Sequence, residues 1–136
     1  MSAMSDFLEG ELIKHIFRTG SFTKPAGLHI ALFTAAPADA GGGTEVTGGS
    51  YARAQLNPGD ANWAAPAGGN GQTSNLVVIT FPAPTANWGQ VTHAAVLDAA
   101  SGGNYLLHGA LAQPKTINNG DPAPSFPIGS LVFTFA

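Results

Sequence analysis

Eighteen glycines and ten prolines are scattered along this chain of 136 residues, and they limit its possible folds more than anything else. Proline fixes one backbone dihedral and removes a hydrogen-bond donor, while glycine adds backbone conformations that other residues adopt only at a cost. Both interrupt helices and mark turns. Past residue 20 they leave room only for short segments. One of these alternates Leu28, Ile30 and Leu32 with His29, Ala31 and Phe33, the period-two pattern of a strand. Further strands are predicted at residues 51–56, 76–81, 91–97, 105–111 and 131–135, with a short edge strand at 116–117. The run at 76–81 is almost continuously apolar and β-branched, which predicts a central strand buried on both faces. Residues 98–104 predict a hairpin loop, and Asn118, Asn119, Gly120 and Asp121 a turn. The longest loops are expected at 35–49 and 57–74. Leu131, Phe133 and Phe135 share one face, so the last segment is expected to pair into a sheet and not to hang as a free arm.

The first 20 residues follow a different period. Leu8, Leu12 and Ile16, with Ile13 and Phe17 beside them, recur at helical spacing. Asp6 is placed to cap such a helix with Glu9 three residues on, and Thr19–Gly20 reads as its stop, with Gly20 in the left-handed position. Gly10 inside it costs about 1 kcal/mol relative to Ala, so the helix needs its packed face. The expected organisation is one domain over residues 1–136, with a helix over about 6–19 and a β-domain over about 26–136. The fold class is mostly β: an antiparallel sandwich or barrel, jelly-roll-like, with one N-terminal amphipathic helix.

Composition narrows the function. Charged residues make up 10% of the chain, against about 25% in an average soluble domain. Six of the thirteen charges fall in the first 24 positions. A surface this poor in charge is expected to be covered by copies of the same chain or by a partner; the alternative is a surface of Ser, Thr, Asn, Gln and Gly, which the chain also supplies. The net charge of −3 and the scattered basic residues Lys14, Arg18, Lys24, Arg53 and Lys115 argue against nucleic acid, which needs clustered cations. No apolar window is long enough to span a membrane, and the first residues lack the pattern of a secretory signal. Without cysteine there are neither disulfides nor thiolate metal sites.

Catalytic groups are sparse. His93 and His108 fall on adjacent expected strands with Asp98 nearby, so a metal site is conceivable on paper. An imidazole hydrogen-bonded within a sheet accounts for them better. His29 alternates with strand residues in the same way, and His15 stands at helical spacing from Glu11. The serines at 50 and 130 lack the G-x-S-x-G context of a nucleophile. Asp39, Glu45, Asp60, Asp98 and Asp121 all occupy Gly/Pro/Asn turn contexts, where backbone hydrogen bonding explains them. The glycines at 41–43 lack the GK[ST] ending of a phosphate loop. No catalytic, metal or cofactor-binding residue is therefore assigned, no cofactor is expected, and the chain is read as no enzyme. Trp63 and Trp88 fall in loops. Such tryptophans either stack on sugar rings or fold back over the open end of a sandwich, and these two are the candidate ligand or interface aromatics.

An ordered set of blocks then points to a family: residues 27–37 (GLHIALFTAAP), 43–53 (GTEVTGGSYAR), 79–82 (ITFP), 88–93 (WGQVTH), 97–104 (LDAASGGN), 107–111 (LHGAL) and 126–130 (FPIGS). Together they cover most of the chain, which resembles a family of small structural proteins of tailed bacteriophages. Its members are labelled tail-fibre-like, and relatives resemble capsid decoration or cement proteins. The resemblance brings no catalytic residues. It implies that Gly48 and Gly49 allow a sharp turn into a strand, that Arg53 pairs with Glu45, and that Val91, His93 and Ala95 share a strand face. It also implies a virion location after synthesis in the host cytoplasm. The leading expectation is a decoration or cement protein that binds the major capsid protein or other virion proteins as a homo-oligomer, a trimer. The alternative is a tail-fibre or baseplate component with host-glycan contacts through the loop tryptophans. Neither reading involves nucleic acid or a membrane.

Overall fold

The structure, a computed structural model, describes residues 2–135; Met1 and Ala136, the two ends of the expected domain, lie outside the described residues. In chain order the elements are β1 (Ser2–Met4), α1 (Asp6–Phe17), β2 (His29–Ala35), β3 (Thr44–Glu45), β4 (Ala54–Gln55), β5 (Gln72–Ser74), β6 (Ile79–Thr80), β7 (Gly89–Leu97), β8 (Tyr105–Ile117), β9 (Ser125–Phe126) and β10 (Val132–Thr134). Six strands form one antiparallel sheet in the order β1-β8-β7-β2-β3, with β4 also pairing β2. Two ribbons, β5–β10 and β6–β9, complete a mostly β fold. No barrel closes among the described residues. The arrangement is sandwich-like, as the core shows.

β2 is the centre of that core, and it is buried on both faces. Ile30 and Leu32 point to one side with Ala94 and Val96 of β7, where they meet Leu8, Ile79, Phe81, Leu131 and Phe133 from the helix and the ribbons. Ala31 and Phe33 point to the other side and form a smaller cluster with Ala95, Leu97 and the ring of Tyr105. Residues 30–33 are thus apolar on both phases, as a strand covered on both sides requires.

The helix is the expected one, with different ends. Ser5, not Asp6, is its cap: the Ser5 Oγ accepts from the Leu8 N–H at 3.1 Å. The Ser5 hydroxyl also donates to the Tyr105 carbonyl, which ties the helix start to β8 and leaves Ser5 fully buried. Asp6 and Glu9 then stand in the first turn, and Lys14 and His15 in the last, each where the helix dipole favours its charge. The helix stops when Arg18 turns extended, and Gly20 does not adopt the left-handed conformation. Of the apolar stripe, Leu8 is buried and Leu12 half-buried, while Ile13, Ile16 and Phe17 are exposed.

Three strand expectations are corrected. Residues 76–81 are not a central strand: only Ile79–Thr80 pairs, and Leu76, Val77 and Val78 face solvent at 42, 41 and 49% exposure. The cause lies one residue earlier. Asn75 occupies the buried position, and its side-chain amide donates to the carbonyls of Val77 (2.9 Å) and Pro127 (3.0 Å), folding the backbone back on itself. Residues 51–56 reduce to Ala54–Gln55, because Tyr51 and Arg53 are drawn off into side-chain bonds. Finally, β8 does not stop at residue 111 but continues through the expected edge strand to Ile117. Val91 pairs with Lys115 while His93 pairs with Ala110, so residues 111–114 bulge out opposite Thr92. The same irregularity puts Val91 in the larger core with Ala94 and Val96, on the face opposite Ala95. Val91 and Ala95 therefore do not share the face the resemblance implied.

Candidate functional site

The most connected polar group is built on the 43–53 block. The turn at Gly48, Gly49 and Ser50, all at positive φ, brings Tyr51 and Arg53 back toward Glu45 on β3. Arg53 grips the Glu45 carboxylate with two bonds, Nε to Oε2 at 2.9 Å and a terminal nitrogen to Oε1 at 2.8 Å. Its other terminal nitrogen donates to the carbonyls of Ala99 (2.7 Å) and Gly102 (2.8 Å) in the β7–β8 loop. The Tyr51 hydroxyl donates to Glu45 at 2.8 Å and accepts from the Leu32 N–H at 3.0 Å. Burial works to raise the Glu45 carboxyl, but the bonds from Arg53 and Tyr51 with the guanidinium charge outweigh it and hold the carboxyl below its ordinary range. Burial, with the Glu45 carboxylate beside it, pushes the Tyr51 hydroxyl well above its usual range. This network ties β3, the segment before β4 and the β7–β8 loop to β2, and both oxygens of its carboxylate are occupied.

The histidines serve similarly local contacts. His108 Nε2 lies 2.7 Å from Asp39 Oδ1. His93 bonds the neighbouring Thr92 hydroxyl at 2.8 Å, and His15 Nδ1 accepts from the Phe22 N–H at 3.1 Å. Asp98 holds the backbone and side chain of Asn104 across its loop, so it does not join His93 and His108. Among the described residues no group of three or more potential metal ligands comes together. Nor, among them, is any helix long and apolar enough to cross a membrane.

The two tryptophans are parts of the interior. Trp88 is 5% exposed, its indole N–H donates to the Gly49 carbonyl at 2.9 Å, and the Tyr51 ring meets it edge-on. Stacking Trp88 on a sugar requires opening the core. Trp63 is half-buried against Phe133 and donates to the Leu56 carbonyl at 3.2 Å.

Apolar side chains do reach the surface elsewhere, among them on two stretches that no motif marks. One is the outer face of α1, at Ile13, Ile16 and Phe17. The other is a ridge of Leu76, Val77 and Val78 with Ile128 beside it. A groove of about 690 Å³ opens nearby, between the bulge of β8 and the β9–β10 turn, with Leu111, Lys115, Phe126 and Val132 in its walls. The sequence does carry a signal for the ridge: residues 61–97 and 122–136 contain no charged side chain at all. Contact, not turnover, is what such surfaces offer.

Comparison with known proteins agrees with that reading. A family model described as Podophage GP4 fiber I protein gp80 matches residues 3–134. The word fiber favours the tail-fibre alternative over the capsid-cement expectation, and both fall within the virion structural proteins that the sequence blocks implied. A search of curated proteins finds no match. With nearly its whole length matched, the chain belongs to the podophage GP4 fiber I protein gp80 family, a family of virion structural proteins of tailed bacteriophages.

Proposed function

We propose that this protein is a non-catalytic component of a tail fibre, held in the virion as a homo-oligomer that packs against neighbouring virion proteins. The family match over residues 3–134 carries the reading. Two features support it: the surface is poor in charge, and apolar side chains stand exposed on α1 and on the ridge. The mechanism is burial of uncharged surface, with interfaces above roughly 1,000 Å² holding copies in place without chemistry. A trimer, implied by the resemblance, is the expected oligomer. Any contact with host glycans falls to Trp63, since Trp88 is enclosed.

Electron microscopy of intact virions labelled with an antibody to this chain tests the proposal. Label confined to appendages at the tail vertex is the expected result. Label spread over the shell in hundreds of copies overturns it in favour of the cement reading, with the major capsid protein as partner.

A further inference from the structure

We propose that Asn70 is a modification site: its side-chain amide converts spontaneously to aspartate and isoaspartate, with water as the co-reactant. The fold directs this reaction to Asn70 and away from Asn119.

The chain holds two Asn-Gly pairs, Asn70–Gly71 and Asn119–Gly120, and both asparagines are exposed. In such a pair the glycine main-chain nitrogen gives its proton to a solvent base and attacks the asparagine Cγ, forming an N–Cγ bond. The Cγ–Nδ2 bond then breaks, the side-chain nitrogen takes up a proton and leaves as ammonia, and a five-membered succinimide remains. Water opens the ring at Cγ to give aspartate, or at the main-chain carbonyl to give isoaspartate, whose main chain runs through Cβ and Cγ. No oxidant or reductant takes part. Glycine favours the step because it has no side chain to obstruct the ring and a backbone that turns freely. The rate of an intramolecular attack depends on how readily the two atoms reach each other.

The structure separates the two pairs. The Gly120 N–H donates to the Pro84 carbonyl at 3.2 Å. The turn around it is tied down as well, by Asn119 N–H to Asn87 Oδ1 at 2.9 Å and Asn118 N–H to Asp121 Oδ2 at 2.8 Å. Swinging the Gly120 nitrogen onto Cγ breaks that anchorage. The Gly71 N–H, by contrast, has no acceptor among the described residues. The backbone leading to it is open: Gly68 and Gly69 both have positive φ, with nothing packed where a Cβ would stand. The Asn70 amide nitrogen is held only by an exposed bond to Gln72 Oε1 at 3.3 Å. Its Oδ1 accepts from the Gln72 N–H at 3.0 Å. That donor draws electron density from Cγ and stands where negative charge develops on Oδ1 as the nitrogen adds. Asn119 Oδ1 has no such donor among the described residues.

The consequence falls on the β5–β10 ribbon. The Gly71 carbonyl accepts from the Phe135 N–H at 2.8 Å, and Gln72 Nε2 donates to Thr134 Oγ1 at 3.1 Å. Isoaspartate inserts one extra main-chain carbon just ahead of both contacts. Either product also places a negative charge in residues 61–97, a stretch that has none. A protein held in a virion is not resynthesised, so each conversion is permanent.

Ageing the purified full-length chain in warm neutral buffer and, in parallel, in concentrated urea tests this. Peptide mass spectrometry reads amide loss at positions 70 and 119 and distinguishes isoaspartate from aspartate. In the folded chain position 70 should convert at least about fivefold faster than 119, and in urea, with the fold gone, the two rates should agree within about twofold. Both products should appear at 70, and hydroxylamine should cleave the chain after residue 70 while the succinimide persists. Hydrogen exchange at the Phe135 N–H should quicken with the converted fraction, and should stay constant in Asn70→Gln aged alongside, whose longer side chain closes no five-membered ring. No conversion at 70 in the folded chain overturns the proposal, as does a smaller ratio to 119, or aspartate without isoaspartate. Exchange at Phe135 that ignores conversion overturns the loosening of the ribbon.

Discussion

Replacing Asn75 by Ala removes the brace between residues 75–78 and 126–131, and the size of the loss follows from its bonds. The side chain donates to Val77 O at 2.9 Å and Pro127 O at 3.0 Å and accepts from Leu131 N at 3.0 Å, all without exposed surface. At about 0.5–1.5 kcal/mol net per bond, the three together contribute about 3 kcal/mol. Against a typical total of about 5–15 kcal/mol this is a large share, equal to a drop of about 10 °C in melting temperature for a domain of this size. Urea unfolding followed by the fluorescence of Trp63 and Trp88, both packed in or against the core, measures it. Asn70→Ala, at an exposed position, should change stability by less than about 1 kcal/mol. Asn75→Asp sharpens the test, because it sets a carboxylate against the same carbonyls. Its folded pKa is then raised. The penalty is absent below the ordinary Asp value of about 3.9 and grows as pH rises toward the raised value, so this variant should be nearer the wild type at pH 3 than at pH 7. A loss below about 1 kcal/mol in Asn75→Ala, or a deficit in Asn75→Asp that ignores pH, refutes the reasoning.

Two further outcomes concern the 43–53 block. Glu45 is held below its ordinary range, so its contribution to stability is complete above the usual carboxylate pKa and is lost as pH falls through the lower folded value. Melting temperature recorded between pH 3 and 7 should therefore show a shallower acid limb in Glu45→Gln than in the wild type. Gly49 stands at φ 57°, and a Cβ there meets Trp88 Nε1 at 2.9 Å and Ala86 N at 3.0 Å, so Gly49→Ala should cost about 1–3 kcal/mol by urea unfolding. Gly48→Ala shares the positive φ but has open space, and should cost less.

Where sequence and structure part, the reason is what each pattern encodes. The helical period and the alternation at residues 28–33 were legible because they report local geometry directly. The Arg53–Glu45 pair was legible through the 43–53 block. Apolarity at 76–78, by contrast, reports only that water is disfavoured there, not whether this chain or another supplies the cover; the polar Asn75 just ahead was the sign that the buried slot was already taken. Whether the loop residue Trp88 folds inward or stacks outward was not legible, because its partner, the Gly49 carbonyl, lies 39 residues away. The bulge in β8 was hidden for the same reason, since a register shift belongs to a pair of strands and leaves no mark on either alone.

The pairing of β1 bears on how this protein is made. Ser2 Oγ donates to the Thr134 carbonyl at 3.1 Å and accepts from the Thr134 N–H at 2.8 Å, while β1 itself lies along residues 107–109 of β8. During translation, β1 has no strand partner until β8 leaves the ribosome, and Ser2 does not meet Thr134 until β10 follows. Such distant contacts form slowly and late. The first strand thus waits for one of the last, and a chain stalled short of β8 leaves β1 unpaired and open to proteases.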